Sequence, residues 1–242
     1  MAVYRNDPDL NLLGQCSNEE LQLLVSILTI DPRDGDTRWT ESLTGSTEYR
    51  ILAPQHRLYW PLIAAELQRY GANTLMSLAR LGQGVLYREI LDDVCQKLDV
   101  NYNQKSATES IELALLMKVL EKSLNTMTPD VLGTFSRTLQ LDLTNPTPQL
   151  ILIAVQAAIR TSSLAALELA TVLSASVINS LGGIATWGTV AVASRVLSVI
   201  AGPVAIALSS AWMISDITGP AYRVTIPACI IVAWLRQQHI SH

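Results

Sequence analysis

Charge is nearly absent from the C-terminal part of this 242-residue chain. Between Leu143 and Leu235 only five residues are charged, namely Arg160, Glu168, Arg195, Asp216 and Arg223. Residues 143–242 carry a net charge of +2 and the remainder of the chain −6, within a total of −4. A segment this poor in charge is either a dry protein core or a part of the chain that meets a lipid bilayer.

Other absences restrict the ligands and partners that we expect this chain to bind. The three cysteines, Cys16, Cys95 and Cys229, have no short spacing, so the sequence offers neither a zinc knuckle nor a disulfide framework. All four lysines lie between Lys97 and Lys122, so there is no basic stripe and nucleic acid is not an expected partner. The first ten residues hold no basic start followed by an apolar run, which argues against a secretory signal peptide.

Recognisable catalytic motifs are absent as well. The chain has no glycine loop with lysine for a nucleotide, no Gly-x-Ser-x-Gly elbow and no His-Glu-x-x-His pair. His239 and His242 lie at the C-terminus, where we expect them to be inert. The sequence therefore predicts a protein that is not an enzyme, with no catalytic, cofactor-binding or metal-binding residue.

The sequence is rich in helix signals. Apolar residues recur at three- and four-residue intervals from Gln55 to Tyr70, and Gly71 is the expected end of that helix. Two capping boxes predict helix starts, Ser17 with Glu20 and Ser106 with Glu109. Further helices are expected at 73–81, 85–98 and 129–141. We predict an all-α fold, a multi-helix bundle with an amphipathic N-terminal part and an apolar C-terminal part.

The segment Thr144–Pro148 is the predicted domain boundary, because its two prolines cannot lie inside a helix. It separates a soluble helical domain, residues 1–142, from an apolar helical domain, residues 147–242. A helix is expected from Pro148 toward Leu181. Breaks are expected after it at the glycine-containing pairs that begin at Gly182, Gly202 and Gly219.

Two interpretations of the apolar domain stay open. Uncharged runs of 26 residues (169–194) and 20 residues (196–215) match the ~20 residues that a helix needs to cross a bilayer. The interfacial anchors would then be Trp187, Trp212 and Trp234. Against this, the glycine pairs leave helices of roughly 15 to 18 residues, ordinary lengths for buried helices. A colicin-like arrangement, in which an apolar hairpin is hidden in the soluble form, would reconcile the two interpretations.

Several segments resemble the bacterial YaaW family: Gln55–His56, Trp60, Leu62–Ala64, Glu66–Gln68, Tyr70–Gly71, Leu86–Leu91, Asp93–Val94 and Ala221–Ala228. The opening segments are similar to the short domain of unknown function that begins such proteins: Asp7–Leu10, Cys16–Ser17 and Leu21–Thr29. The central region of the family is distantly similar to the ubiquinol-cytochrome c chaperone, an all-helical assembly factor. The resemblance implies an α-helical bacterial protein that acts in assembly or at a membrane. It supplies no site residues.

We therefore expect a non-enzymatic protein of the bacterial cytoplasm that associates with or inserts into the inner membrane, with colicin-like permeabilisation as the stronger form. The alternative is a soluble assembly chaperone or docking protein that binds an apolar helix of a membrane-protein client. The expected partner is membrane lipid or an apolar protein helix, and oligomerisation is compatible with both.

Two groups of residues are candidates for these contacts. Tyr222 and Arg223 would hold a lipid headgroup or join the two halves of the chain, and a buried pair of Arg223 with Asp216 is the alternative. The candidate lipid or inter-domain contacts are Arg195, Asp216, Tyr222 and Arg223. The candidate docking surface comprises His56, Trp60, Glu66, Tyr87 and Arg88.

Overall fold

The computed structural model describes residues 2–31, 35–74, 84–141, 143–180 and 221–240, and α-helices dominate these ranges. The helices described are α1 (Asn18–Thr29), α2 (Thr47–Leu52), α3 (Trp60–Thr74), α4 (Tyr87–Lys97), α5 (Thr108–Leu124), α6 (Pro129–Thr138), α7 (Pro148–Thr161), α8 (Ser163–Ser180) and α9 (Tyr222–Ile240). Short 3₁₀ helices lie at Asn11–Gly14 and His56–Tyr59. Within these ranges the β pairing is limited to an isolated bridge between Ile30 and Thr37. The predicted all-α fold is confirmed.

The last helix, α9, lies at the centre of the described structure. Its residues from Val224 to Leu235 are all buried, and the helix packs against α8 above all and also against α1, α3, α4 and α5. A helix that is apolar around its whole circumference must be covered on every side. Trp234 is fully buried and donates from Nε1 to Thr171 Oγ1 at 3.2 Å, so its indole lies in the core rather than at an interface.

The hydrophobic core is continuous across the predicted domain boundary. It includes Leu24 of α1 and Leu115 of α5 together with Leu173 of α8 and Ile230 of α9. The chain between α6 and α7 is not helical where it is described, in agreement with its prolines. Because residues 181–220 lie outside the described ranges, the division into two domains stays a prediction.

The start of α1 agrees with the sequence, and the start of α5 does not. Ser17 Oγ accepts from the Glu20 amide at 3.2 Å, and the Glu20 carboxylate accepts from the Ser17 amide at 2.7 Å, which confirms the first capping box. The second predicted box is wrong, because α5 begins at Thr108 with Ala107 as its N-cap and no side-chain cap. The loop before α5 is held by a different contact: the carbonyl oxygens of Gln104 and Ser106 accept from the guanidinium of Arg88.

Two other predictions concern the ends of helices. The helix that begins at Pro148 does not continue toward Leu181, because Ser162 has an extended backbone (φ −150°, ψ 126°) and separates α7 from α8. The helices expected at 85–98 and 129–141 are present as α4 and α6. Most of the helix expected at 73–81, and the breaks expected at 182, 202 and 219, fall outside the described residues. Among the described helices, none has the length and apolar character needed to cross a bilayer.

Gly71 does not end α3, which continues to Thr74. Its role is to permit close packing of α3 on α4 and on the residues just before it. A Cβ at position 71 would lie 2.4 Å from Ile90 Cγ1 and 2.8 Å from Val85 Cγ2, closer than any real contact allows. The glycine is thus retained within a helix, at a conformational cost of about 0.5–1 kcal/mol relative to alanine, because the neighbouring helix needs the space.

The close packing of α3 on α4 predicts that a single added methyl group has a large effect on the stability of the fold. Gly71→Ala should lower the free energy of unfolding by about 1–3 kcal/mol, because the buried side chains of Ile90 and Val85 must move. Urea denaturation followed by circular dichroism measures this change. Gly133→Ala in α6 is the matched control: a Cβ there meets no atom within 4 Å, so this variant should gain about 0.5–1 kcal/mol. Similar effects of the two substitutions would contradict the close approach.

Candidate functional site

A buried polar network joins the N-terminal segment to α3 and α4. Gln68 of α3 is fully buried, and its Oε1 accepts from the Arg5 amide at 2.9 Å while its Nε2 donates to the Arg5 carbonyl at 2.8 Å. The buried carboxylate of Asp7 accepts from the Tyr87 amide at 2.6 Å and from Gln68 Nε2 at 3.3 Å. Because these buried groups are hydrogen-bonded, the cost of removing them from water is offset.

A second buried carboxylate is paired with an arginine of the last helix. Glu112 of α5 is fully buried, and its Oε2 accepts from Arg236 Nε at 2.8 Å while its Oε1 accepts from Tyr87 Oη at 2.8 Å. Arg236 Nη2 also donates to the Asp9 carbonyl at 2.8 Å. One cluster therefore connects α9 with α5, with α4 and with the N-terminal segment.

Burial controls the ionisation of this pair. Desolvation raises the pKa of Glu112 above its ordinary value, although the neighbouring Arg236 and Tyr87 act in the opposite direction. Burial alone would lower the pKa of Arg236, but the attraction and hydrogen bond of Glu112, together with the smaller effects of Tyr87 and Asp9, outweigh burial and the pKa is raised. Both oxygens of the carboxylate are engaged by the protein itself. The cluster is therefore suited to hold helices together rather than to bind a substrate.

His56, predicted to lie on a docking surface, is buried beneath the start of α3. Its Nε2 lies 2.7 Å from Gln22 Oε1, and its Nδ1 is hydrogen-bonded to Tyr59 Oη. A neutral ring satisfies both contacts, with Nε2–H donating to the amide oxygen and Nδ1 accepting from the phenol. Burial lowers the pKa of His56, which favours this neutral form.

The other candidates for the docking surface also make internal contacts. Glu66 is buried and accepts from the amide and the hydroxyl of Ser42 at 2.9 and 2.7 Å. Tyr87 is fully buried in the cluster around Glu112. Trp60 is half-buried and meets Tyr4 edge to face, with ring centroids 5.4 Å apart. Arg88 is half-buried and donates to the loop ahead of α5. In this structure His56, Glu66 and Tyr87 do not line a surface.

Two candidate contact residues, Tyr222 and Arg223, lie at the start of α9, and their surroundings differ from each other. Tyr222 Oη donates to Asp93 Oδ1 at 3.1 Å, which joins α9 to an acidic residue of α4. Arg223 is exposed and is therefore not the buried partner that the alternative interpretation requires. The remaining two candidates, Arg195 and Asp216, lie outside the described residues.

An apolar groove of about 500 Å³ lies between α5 and α7. Its lining includes the apolar residues Leu113, Met117, Leu152 and Ile153 and the charged residues Asp99, Lys118, Glu121 and Arg160. Ile153 is 64% exposed, which is unusual for an isoleucine beside a packed helix pair. Sequence reasoning missed this groove because it exists only where α7 packs on α5.

Three side chains with metal-ligand chemistry meet where the first and last helices come together. Cys16 Sγ lies 3.3 Å from His239 Nε2, and a carboxylate oxygen of Glu20 joins them, with all three atoms within 4.8 Å of one another. His239 lies in the last turn of α9 and contacts another side chain, whereas we expected an inert residue. No pattern in the sequence indicates this cluster, because Cys16 and His239 are separated by 223 positions.

The chain has curated relatives that it matches over most of their length. It is 39% identical over 237 residues to a UPF0174 protein of Helicobacter pylori (strain J99), which covers 97% of this chain and 92% of the relative. It is 37% identical over 205 residues to a UPF0174 protein of Helicobacter pylori (strain 26695), which covers 81% and 96%. It is 30% identical over 237 residues to the UPF0174 protein YaaW of Escherichia coli (strain K12), which covers 97% and 95%. This chain belongs to the UPF0174 family.

The UPF0174 assignment confirms the resemblance to the YaaW family. Residues 4–39 match the family model described as Domain of unknown function (DUF3944), which confirms the resemblance of the opening segment. No solved structure matches the chain significantly. The names of the UPF0174 relatives state no activity, so the functional argument depends on the residues themselves.

The buried pair of Glu112 and Arg236 predicts a pH-dependent defect. Arg236→Met removes the cation and should cost about 3–5 kcal/mol at alkaline pH, because Glu112 is then an unpaired buried charge. A raised folded-state pKa of Glu112 means that its contribution to stability is present at acid pH and is lost as the pH rises through that pKa. The substitution raises this pKa further, so the defect should be smaller at acid pH. Urea denaturation at several pH values measures it.

Two variants control for this experiment. Arg137→Met removes an exposed arginine of α6 and should change the free energy of unfolding by less than about 0.5 kcal/mol. Glu112→Gln in the Arg236→Met background removes the unpaired charge and should restore part of the stability. A defect of equal size at acid and alkaline pH would contradict the ionic role of Arg236.

Proposed function

We propose that this protein is a non-enzymatic, membrane-associated protein of the bacterial cytoplasm, in which residues 181–220 provide the part that enters the bilayer. The observation that supports this proposal is their composition: these 40 residues contain only two charges, those of Arg195 and Asp216. Both flanking helices, α8 and α9, belong to the core of the helical body. The helices before and after the segment in sequence are thus anchored in that body.

The distribution of exposed apolar residues indicates which helices could contact lipid. The side chains of α9 from Val224 to Leu235 are already covered by other helices, so this helix has no apolar face left for lipid. Large apolar side chains are exposed on the helices that lead into 181–220: Leu150 (45%) and Ile153 (64%) on α7, and Leu164 (59%) on α8. Leu150 and Ile153 are three positions apart and share one face of α7. Such a face suits the interface of a bilayer.

Arg195 limits the way in which the segment can insert. It separates the two uncharged runs, and a charge at the centre of a span costs about 2.5–3.5 kcal/mol. Placement of Arg195 near the headgroups avoids this cost and leaves the uncharged residues 181–194 and 196–215 on either side of it to form an apolar hairpin. In the stronger form of the proposal, this hairpin permeabilises the membrane as colicins do. Release of a dye from loaded vesicles tests that stronger form separately from binding.

Flotation with vesicles of phosphatidylethanolamine and phosphatidylglycerol tests the membrane proposal. The unaltered protein should float with the vesicles and resist extraction by carbonate. Ile206→Asp places a charge within the uncharged run 196–215 and should weaken binding by about a hundredfold, given the cost of about 2.5–3.5 kcal/mol for a buried aspartate.

Leu58→Asp is the matched control, since Leu58 is 62% exposed on a 3₁₀ helix of the N-terminal part and the substitution adds the same charge. This variant should float as the unaltered protein does. Circular dichroism establishes that both variants are folded. Full-chain protein that stays with the soluble fraction, or Ile206→Asp protein that still floats, would contradict the proposal.

A second function, the binding of an apolar helix from a membrane-protein client, is favoured by the groove between α5 and α7. Amphipathic helices bind in grooves of this kind through apolar side chains on one face. The groove is lined by apolar side chains and by charged residues of both signs, of which Lys118 and Glu121 are paired at 2.9 Å. This composition favours an apolar occupant over a strongly charged one.

Fluorescence anisotropy with a labelled amphipathic peptide of leucine and serine tests the groove. Ile153→Glu places a charge in the groove and should weaken the binding of the peptide by about tenfold or more, because the apolar contact is lost. Leu164→Glu is the control, since Leu164 is similarly exposed but does not line the groove. Equal weakening by both substitutions, or no binding of the peptide, would contradict this function.

A further inference from the structure

We propose that Cys16, Glu20 and His239 form a binding site for a divalent metal ion of the zinc type, which joins the start of α1 to the end of α9. The three residues supply one sulfur, one oxygen and one nitrogen ligand, and their ligand atoms lie within 4.8 Å of one another. Zn²⁺ accepts this mixture of thiolate, carboxylate and imidazole, whereas Mg²⁺ and Ca²⁺ prefer oxygen ligands alone.

The distance between the sulfur and the nitrogen is close to that of tetrahedral coordination. A metal bound at about 2.3 Å from sulfur and about 2.0 Å from nitrogen holds those two atoms roughly 3.6 Å apart. In this structure Cys16 Sγ and His239 Nε2 are 3.3 Å apart, so a shift of a few tenths of an ångström would bring these two ligands to that spacing. The carboxylate oxygen of Glu20 lies within 4.8 Å of both. Three protein ligands leave one position for water.

The surroundings already orient two of the ligands. The carboxylate of Glu20 accepts from the Ser17 amide through Oε2 in the capping box, which fixes the direction of the side chain. Burial against the core restricts the side chain of Cys16, whose thiol donates to the Leu12 carbonyl oxygen at 3.4 Å until metal displaces the proton. Such supporting contacts are typical of metal ligands.

The thiol of Cys16 is protonated in the absence of metal. Burial, and to a lesser degree the charge of Glu20, raises its pKa to about 12, while Arg57 acts in the opposite direction. Metal binding must therefore displace the thiol proton, as it does at other zinc sites, and the proton passes to solvent. The charges of one thiolate and one carboxylate then balance the two positive charges of the ion.

Titration of the full chain with Co²⁺ under reducing conditions tests the site. Co²⁺ replaces zinc in such sites, and its bond to a thiolate gives a near-ultraviolet charge-transfer band. We expect this band to saturate at one metal per chain and to disappear when Zn²⁺ is added. Cys16→Ser should abolish the band. His239→Ala should weaken Co²⁺ binding by about tenfold or more, the equivalent of at least ~1.4 kcal/mol.

Two further variants separate ligation from folding. Glu20→Gln keeps the capping interaction, which glutamine also supports, and should still weaken Co²⁺ binding. Cys95→Ser removes another buried thiol and should leave the band unchanged if that variant is folded by circular dichroism. A band that persists in Cys16→Ser, or the absence of a thiolate band at saturating Co²⁺, would overturn the proposal.

Discussion

Complete burial of α9 is the constraint on which the rest of the described structure depends. Its side chains from Val224 to Leu235 fill the space between helices that come from both ends of the chain. Burial of each large apolar side chain contributes about 1.5–3 kcal/mol. The helices α1, α3, α4, α5 and α8 therefore have a common apolar surface to cover. The last described helix of the chain is therefore the centre of the described structure.

The buried polar groups make this arrangement specific. Apolar surfaces attract without direction, so α9 could slide or rotate among its neighbours at small cost. The pair of Arg236 with Glu112 opposes such movement, because a displaced α9 would leave a buried carboxylate without its cation, at a cost of several kcal/mol. The hydrogen bond from Arg236 to the Asp9 carbonyl extends the same restriction to the N-terminal segment. This segment lies within the match to DUF3944.

Similar apolar composition serves two purposes along the C-terminal part of the chain. In α9 it fills the core of the helical body, and in residues 181–220 we propose that it meets lipid. The difference does not lie in hydrophobicity. It lies in the packing of the helices: α1, α3, α4, α5 and α8 pack around α9, whereas α7 and α8 each leave large apolar side chains exposed. The proposal is supported by the low charge of residues 181–220 and by the exposed apolar side chains of the two helices that precede them in sequence.

Local signals in the sequence determined much of the secondary structure. The capping box of Ser17 and Glu20 and the proline after Thr147 position helix starts through interactions that span only a few residues. Gly71 shows where local reasoning fails. A glycine predicts a helix end when only the chain around it is considered, but here it lies within α3 because Ile90 of α4 needs the space. The break at Ser162 was not predicted either, since serine and its neighbours carry no strong signal there.

Most of the candidate sites could not be predicted from the sequence. The sequence by itself determined that the chain is α-helical, that it belongs with the YaaW relatives and that its charges are concentrated in the first part. Only the tertiary structure decided which polar residues are internal, as with His56, Glu66 and Tyr87, and which distant residues meet, as with Cys16 and His239. The physical reason is that helix formation depends on contacts a few residues apart. Burial and convergence depend on how whole helices pack, which no local pattern records.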